Sequence, residues 1–341
     1  MREQKLLELI NDNEVFYITD SDDMRYYAKF TGEGAIVLGH DKKVILTDGR
    51  YTEKAKQESD YCVAECINHF KYLKELNKKI IIQPNSITYR KFKLYSDNSL
   101  ELTTKDIDFD ALRSVKDDEE IDCLKKAASI AEKSLESLLE YIKPGVSEKE
   151  LSAKLNYFMA INGSEKESFD TILISGKKTS LPHGVPSDKK IENGDFVTID
   201  FGCKFNGYCS DMTRTFAVGF ATDEMKNVYN VVLNAQETAQ KLVMQGKKLN
   251  EIDFAARDII KNAGYGNYFV HRLGHGVGLK IHELPNLAPR CVGELIKNNV
   301  VTVEPGIYIP GKFGVRIENT VIVNENKCES LQNFTKEFII L

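Results

Sequence analysis

The sequence lacks any run of about 18 apolar residues, the length needed to span a membrane. Its first residues, MREQKLLELINDNE, also lack the uninterrupted apolar stretch of an export signal. An excess of positive charge is missing too, since the formal net charge is −5, which argues against nucleic acid or an anionic membrane as a partner. We therefore expect a cytoplasmic protein that binds neither nucleic acid nor membrane.

The seven cysteines lack the paired spacing of a zinc site or of a disulfide framework. They are scattered along the chain, and the closest pair, Cys62 and Cys66, has no second pair that would complete a set of four ligands. Their number is also odd. We predict that all seven are reduced thiols.

The chain has 341 residues, of which 42% are hydrophobic and 28% charged, so a globular protein with two domains is expected. Short apolar runs alternate with helical segments over residues 1–112, which predicts a small α/β domain. The charged run ALRSVKDD marks its end, and the second domain is predicted at 113–341. The strands predicted in the first domain are 15–19, 35–38, 44–47 and 80–82.

A long helix is predicted at the start of the second domain. Asp117 and Glu120 have the spacing of a capping box, in which each side chain satisfies a backbone N–H at the helix start. Apolar residues then recur every three or four positions as far as Ile142, and Pro144 with Gly145 is expected to end the helix. Its apolar face is predicted to be core.

The second domain also contains an internal repeat. At a constant offset of 101 residues, one set of positions matches another: Gly145, Leu151, Leu155 and Gly163 match Gly246, Ile252, Ala256 and Gly264. The repeat continues into two predicted strands of each half. The segments DFVTID, NVVTVE, GYCSD and GVRIE end at Asp200, Glu304, Asp211 and Glu318, respectively. Two similar halves packed about a pseudo-twofold axis would bring these four carboxylates together.

One stretch, FVHRLGHGVGLKIHELP, gathers three of the six histidines: His271, His275 and His282. Glycines at alternate positions around His275 deny the segment a helix and let backbone approach a bound group closely. Neutral imidazole is a common metal ligand and a frequent acid or base. The stretch is therefore predicted to belong to an active site, with a solvated histidine-rich loop as the alternative.

The four carboxylates are expected to bind metal ions, because packed carboxylates cannot all stay ionised without a compensating cation. Five ligands, with His275 added, exceed what one open catalytic site requires. This favours two ions roughly 3.5 Å apart, bridged by carboxylates and holding a water or hydroxide between them. Four oxygen donors to one nitrogen form a hard ligand set, so Mn²⁺ is preferred, with Co²⁺, Fe²⁺ or Zn²⁺ as alternatives.

Six segments follow one another along the second domain: LPHGVPS, GDFVTIDFG, GYCSDMTRTF, HRLGHGVGLKIHELP, VEPGIYI and GVRIENT. In this order and spacing they resemble the metallopeptidases of the pita-bread fold, in particular the Xaa-Pro branch that contains aminopeptidase P and prolidase. FTGEG and TDGRY in the first domain resemble the aminopeptidase P and creatinase type. The resemblance implies an α/β protein of the α+β kind, with a creatinase-like N-terminal domain before a pita-bread catalytic domain.

Position by position, the resemblance implies a role for each ligand. Asp200 corresponds to the chelating ligand of one ion, and Asp211 and Glu318 correspond to the bridging ligands. His275 and Glu304 correspond to the ligands of the other ion. Glu304 is also expected to handle the proton of the attacking water.

Further residues match active-site residues of the family that assist catalysis without binding metal. His183, His271 and His282 match its non-ligand active-site histidines, which hold substrate and stabilise charge on the scissile carbonyl oxygen. Arg316 lies two residues before Glu318, so strand alternation predicts that both point to one face, where the cation orients a carboxylate ligand. Asn319 departs from the family, in which an acidic residue often follows the second glutamate.

The activity implied is that of a hydrolase, a metal-dependent Xaa-Pro aminopeptidase that cleaves the bond between an N-terminal residue and a following proline. An Xaa-Pro dipeptidase, or prolidase, is the alternative. A non-enzymatic pita-bread binding module is a third hypothesis, disfavoured because such modules typically lose metal ligands that this chain retains. The partners expected are proline-containing peptides and a second copy of the chain in a homodimer.

Overall fold

The computed structural model describes residues 2–341, which divide into two compact units. The first unit ends at Leu112, and the second begins at Arg113 and runs to Leu341. Across this described range, no helix is both long enough and apolar enough to cross a membrane. All seven cysteines are free, as their scattered spacing predicts.

The first unit is built on a mixed six-stranded sheet. In spatial order its strands are Cys62–Glu65 (β4), Lys42–Thr47 (β3), Ala35–Gly39 (β2), Glu14–Ile18 (β1), Lys79–Ile82 (β5) and Leu102–Thr103 (β6). The four apolar runs predicted as strands all lie in it. The two edge strands, β4 and β6, were not predicted, because their residues are half-buried or exposed and no apolar run marks them.

Six helices accompany this sheet among the described residues. They are Arg2–Leu7 (α1), Ser21–Ala28 (α2), Thr52–Glu58 (α3), His69–Glu75 (α4), Tyr89–Asp97 (α5) and Phe109–Arg113 (α6). Side-chain caps begin several of them. At α2, for example, the Asp20 carboxylate accepts hydrogen bonds from two backbone N–H groups of the first turn, which have no partner within the helix.

The second unit begins with the predicted long helix, Asp118–Leu139 (α7). The predicted capping box is present: Asp117 Oδ1 accepts from the Glu120 backbone N–H at 3.0 Å, and Glu120 Oε2 accepts from the Asp117 N–H at 2.9 Å. The helix ends at Leu139, earlier than predicted from Pro144. Ile142 is nevertheless buried, because the turn that follows α7 still packs on the same core.

The predicted repeat appears as two equivalent helices. Glu148–Ile161 (α8) and Leu249–Asn262 (α10) have 14 residues each, and α10 packs against the longer helix Asp223–Leu242 (α9) as α8 packs against α7. The glycines of the repeat take positive φ values: Gly145 (92°), Gly246 (78°), Gly163 (105°) and Gly264 (88°). Side chains rarely adopt this left-handed backbone, so glycine recurs where the repeat turns.

Strands of the second unit form several small sheets. One has the order Met212–Ala217 (β12), Phe196–Phe201 (β9) and Ile172–Ser175 (β8). Another has the order Glu283–Leu287 (β14), Gly274–Gly276 (β13), Val300–Val303 (β15), Asn319–Val323 (β18) and Cys328–Ser330 (β19). The remaining pairings join Tyr208–Cys209 (β11), Cys203–Phe205 (β10) and Lys166–Glu167 (β7), and join Gly306–Ile309 (β16) to Phe313–Arg316 (β17).

Each half of the repeat has its own buried core. In the first half, side chains of α7 and α8 pack on β8, β9 and β12. In the second half, side chains of α9 and α10 pack on β15, β17 and β18. The antiparallel pair β9–β12 of one half therefore corresponds to the pair β15–β18 of the other, and these two pairs carry the predicted carboxylates.

Candidate metal centre and its cavity

Two antiparallel strand pairs place the four predicted carboxylates. Asp200 lies near the end of β9, and Asp211 directly precedes β12. Glu304 directly follows β15, and Glu318 directly precedes β18. An antiparallel pair sets the end of one strand beside the start of its partner, so each half of the repeat delivers two acids to one point.

The structure brings all five predicted ligands together. One carboxylate oxygen from each of Asp200, Asp211 and Glu318 lies within 4.8 Å of the other two. His275, in β13, joins the remaining acid to this group, because its Nε2 lies 3.2 Å from Glu304 Oε1 and 3.6 Å from Asp211 Oδ2. The sequence repeat thus predicted a real cluster.

The cluster is strained electrostatically without a cation. Burial raises the pKa of Asp211 well above its ordinary value, and the charges of Glu318, Asp200 and Glu304 raise it further. Burial, followed by the charges of Glu304 and Asp200, does the same to Glu318. Buried carboxylates that face one another in this way lose solvation and repel, which is the situation a bound cation relieves.

Two observations show that the donors fit divalent ions. Asp200 Oδ1 and Glu318 Oε1 are buried, and neither has a hydrogen-bond partner among the described residues. Buried polar atoms are normally paired, so orphaned oxygens at one point indicate a missing ligand. The imidazole of His275 agrees, because its Nδ1 lies 3.0 Å from the Gly276 carbonyl oxygen and must donate there, so that Nε2 is the nitrogen whose lone pair a bound cation would take.

Glu304 differs from the other acids. Burial raises its pKa, but the hydrogen bond with His275 and nearby positive charge, including that of Arg316, lower the pKa below its ordinary value. Its Oε1 also accepts a hydrogen bond from the Thr302 hydroxyl at 3.0 Å.

Arg316 contacts the carboxylate of Asp200, one of the predicted ligands. Arg316 Nη2 lies 2.5 Å from Asp200 Oδ2, and its Nε donates to the Thr213 hydroxyl at 3.1 Å. Arg316 and Glu318 do not lie on one continuous strand, contrary to the prediction, although both side chains reach the Thr213 hydroxyl. β17 ends at Arg316 and β18 begins at Asn319, because the chain leaves one sheet for another between them, and Glu318 instead accepts from the Thr213 hydroxyl at 2.6 Å.

A cavity of about 1010 Å³ opens onto the cluster, and all three predicted helper histidines line it. His183 and His282 are exposed to it, whereas His271 is half-buried. Burial lowers the pKa of His271, and burial with the charges of His275 and Arg272 lowers the pKa of His282 to about 4. Both imidazoles are therefore neutral at pH 7.

The rest of the cavity wall combines apolar and polar side chains. Its apolar side chains belong to Phe169, Ile172, Pro182, Val185, Pro186 and Ile281. Ser152 and Asn156 of α8 add polar groups, and Glu167 and Asp170 add acids. The apolar part of this wall can hold a small apolar group beside the carboxylate cluster.

Three residues at the site were not predicted. Tyr308 lies between His271 and Arg316, with its hydroxyl 2.9 Å from His271 Nε2 and 2.6 Å from Arg316 Nη1. Arg272 lines the cavity, and Thr213 bridges Arg316 and Glu318. All three residues lie within the six segments named above. The sequence does not reveal their contacts, because the partners are distant along the chain.

Asn319 has a structural partner in place of the acid that often occupies this position. Its Oδ1 accepts a hydrogen bond from Arg214 Nη2 at 2.8 Å, and its Nδ2 donates to the Ser330 hydroxyl at 2.9 Å. Arg214 also donates to the backbone carbonyl of Glu318. The departure at Asn319 therefore leaves the five ligands in place.

Comparison with known proteins finds a matching family model for each of the two units. Residues 122–325 match metallopeptidase family M24, and residues 2–115 match the creatinase/prolidase N-terminal domain. A relative described as Xaa-Pro dipeptidase, from Pyrococcus furiosus, is 38% identical over 99% of both chains.

Two solved structures superpose over nearly the whole chain. The X-Pro aminopeptidase from Thermotoga maritima has a TM-score of 0.93 at 36% identity and covers 100% of both chains. An Xaa-Pro dipeptidase from Bacillus anthracis has a TM-score of 0.94 at 40% identity and covers 100% of this chain and 98% of its own.

Proposed function

We propose that this chain, a metal-dependent peptidase that belongs to metallopeptidase family M24, hydrolyses the peptide bond between an N-terminal residue and a following proline. The observation that carries the proposal is the five-residue cluster with two orphaned carboxylate oxygens, which faces a cavity whose wall is partly apolar. The relatives named above support the choice of bond. We assign Mn²⁺ as the native ion, with Co²⁺, Fe²⁺ and Zn²⁺ as alternatives.

The ligands would be shared between two ions. Asp200, Asp211 and Glu318 would hold one ion, and His275 and Glu304 the other, with Asp211 and Glu318 bridging. When bound, divalent ions supply Lewis acidity, which lowers the pKa of water and polarises a carbonyl group. Glu304, which lies beside His275 in the cluster, would accept the proton of the attacking water, the role that the family resemblance implies.

A hydrogen-bonded chain fixes the proton of His271. Arg316 donates to the Tyr308 hydroxyl, which therefore directs its own proton to His271 Nε2. His271 Nδ1 lies 2.8 Å from the backbone carbonyl oxygen of Arg272 and must donate to it. A neutral imidazole has one N–H, so His271 has none left for a substrate. We infer that His271 fixes the position of the Tyr308 hydroxyl. Tyr308 in turn contacts Arg316, which contacts the proposed ligand Asp200.

His282 is the histidine that can donate to the substrate. Its ring is exposed to the cavity, lies against the His275 ring with centroids 4.5 Å apart, and makes no hydrogen bond within the described chain. A neutral His282 has one N–H to direct at the scissile carbonyl oxygen, where negative charge develops. His183, also exposed to the cavity, is assigned to hold the substrate.

Selectivity for proline follows from the bond itself. A peptide bond to proline has no N–H, and the ring fixes φ, so recognition must use the carbonyl oxygen and the shape of the ring. The apolar wall that includes Phe169, Ile172 and Ile281 suits such a ring, whereas a methyl group would leave it partly unfilled.

Ala-Pro should be a better substrate than Ala-Ala. The lost apolar contact corresponds to about 1–3 kcal/mol of transition-state binding, or roughly 10- to 200-fold in kcat/KM. The measurement is kcat/KM for both dipeptides with the Mn²⁺-loaded protein. Equal values would leave a metallopeptidase without the Xaa-Pro assignment.

We further propose that dipeptides are preferred to longer peptides, because the cavity offers a free cation. The described cavity wall contains two arginines, and Arg316 is committed to Asp200 and Tyr308. Arg272 makes one side-chain hydrogen bond, from Nη1 to Asn286 Oδ1 at 2.8 Å, and no described carboxylate pairs with it. A dipeptide presents its C-terminal carboxylate one residue from the scissile bond, where a longer peptide presents a neutral amide.

Replacing Arg272 by methionine should remove the preference for a free carboxylate. In the wild type, kcat/KM for Ala-Pro should exceed that for Ala-Pro amide by roughly 10- to 100-fold, the scale of a hydrogen bond to a charged group. In Arg272→Met the two values should converge. Arg290→Met, at an exposed arginine outside the cavity wall, is the matched control. An unchanged ratio in Arg272→Met would assign the carboxylate to another residue, and a wild-type ratio near one would favour the aminopeptidase.

The homodimer and the cytoplasmic location expected from the sequence remain part of this proposal. Light scattering on the purified protein tests the first, since a mass of one chain would exclude a stable dimer.

A further inference from the structure

A fully buried ion cluster adjoins the site, and the chemistry described above does not use it. The Glu283 carboxylate accepts from Arg113 Nε at 3.2 Å and from Lys116 Nζ at 2.8 Å, and all three side chains are at most 1% exposed. Lys116 Nζ also donates to the Arg113 backbone carbonyl at 2.7 Å. Burying charges is costly even when they are paired, so a cluster that apolar residues could replace calls for another explanation.

The cluster anchors the backbone next to His282. Glu283 is the first residue of β14, and its backbone lies opposite Gly276, the residue after the ligand His275. Gly278 leaves room for the Glu283 carboxylate, since a Cβ at Gly278 would lie 2.3 Å from Glu283 Oε2. The segment between His275 and His282 therefore packs against the buried Glu283 side chain at Gly278.

His282 has little else to hold it. Its ring makes no hydrogen bond in the described chain, and its aromatic contact is the edge-to-face one with His275, at an interplanar angle of 83°. A donor that must meet a developing negative charge needs a fixed position, because an error of about 1 Å can reduce a rate by roughly 100-fold. The position of this imidazole is thus set by the backbone on either side of it.

We propose that the buried Arg113–Glu283–Lys116 cluster positions His282, with Glu283 as the positioning residue and the two cations as the groups that fix its carboxylate. The proposal rests on the function proposed above, because it assigns the cluster to the histidine that serves the scissile carbonyl. It predicts that loosening the cluster impairs turnover through His282 and leaves the five metal ligands in place.

Lys116→Met is the first variant, because it leaves Arg113 and Glu283 as a balanced pair. We expect kcat for Ala-Pro to fall roughly 10- to 100-fold, with KM and Mn²⁺ content unchanged, and Lys116→Arg to restore much of the loss. In a His282→Ala background the same substitution should cause no further fall in kcat. An equal fall in both backgrounds, or an unchanged kcat in the folded single variant, would overturn the proposal.

A second measurement does not depend on activity. In the Zn²⁺-loaded protein, chosen because paramagnetic Mn²⁺ would broaden nearby signals, histidine labelled with ¹³C at Cε1 gives one NMR signal per ring. Loss of one signal in His282→Ala identifies that of His282. Lys116→Met should shift or broaden this signal and leave those of His40 and His69, in the first unit, unchanged. An unchanged His282 signal would refute the positioning role. If the wild type fails to hydrolyse Ala-Pro although the NMR result holds, it is the proposed function that fails.

Discussion

Removal of the metal should abolish peptide hydrolysis and lower the temperature at which the protein unfolds. The reason is the buried cluster, in which Asp211 and Glu318 face other carboxylates and Asp200 Oδ1 lacks any partner in the described chain. A ligand that binds only the folded state stabilises it by about 2.7 kcal/mol at 100 times its Kd. For a unit of this size, each kcal/mol corresponds to roughly 2–4 °C in Tm.

The measurement is thermal unfolding followed by circular dichroism, before and after chelation, with metal content determined on the same samples. Returning Mn²⁺ should restore both Tm and turnover, whereas Mg²⁺, which holds its water more tightly, should restore less. A Tm that is the same in metal-free and metal-loaded protein would contradict the view that these carboxylates need a cation.

The substitution His282→Ala should reduce kcat for Ala-Pro by roughly 10²- to 10³-fold, the scale of a lost donor to a developing oxyanion. His282 is the exposed histidine beside the ligand His275, and its ring has no other hydrogen-bonding work in the described chain. Because the substitution removes an interaction made in the transition state, KM should change little.

The matched variant is His275→Ala, seven residues before His282 and on the other side of the aromatic contact. It removes a ligand, so it should reduce Mn²⁺ content as well as rate, whereas His282→Ala should bind the wild-type amount of Mn²⁺. Loss of metal in His282→Ala would make that histidine a ligand and withdraw its role as donor.

The sequence carried most of the information about the metal centre. The repeat offset predicted that two strand pairs deliver equivalent acids, and the prediction holds because antiparallel pairing sets the end of one strand beside the start of the next. The pita-bread family, the two-part α/β architecture and the metal-dependent peptidase activity predicted from the six motifs are confirmed by the matches to family M24 and the creatinase/prolidase N-terminal domain.

Interactions between distant residues could not be predicted. Lys116 and Glu283 are separated by 167 positions, and neither periodicity nor motif spacing reveals that they form a buried pair. The tautomer of His271 is a similar case, since it depends on Tyr308 and on a backbone carbonyl that only the folded loop presents. Arg316 shows the limit of alternation, because a two-residue spacing implies a shared face only while the strand continues.

Free proline should be released from Ala-Pro only when the proposed metal centre is loaded. The measurement is proline release by metal-stripped protein, before and after Mn²⁺ is returned. We expect no detectable release from the stripped protein and steady turnover once Mn²⁺ is bound. Release of proline at the full rate by protein shown to be metal-free would contradict this expectation.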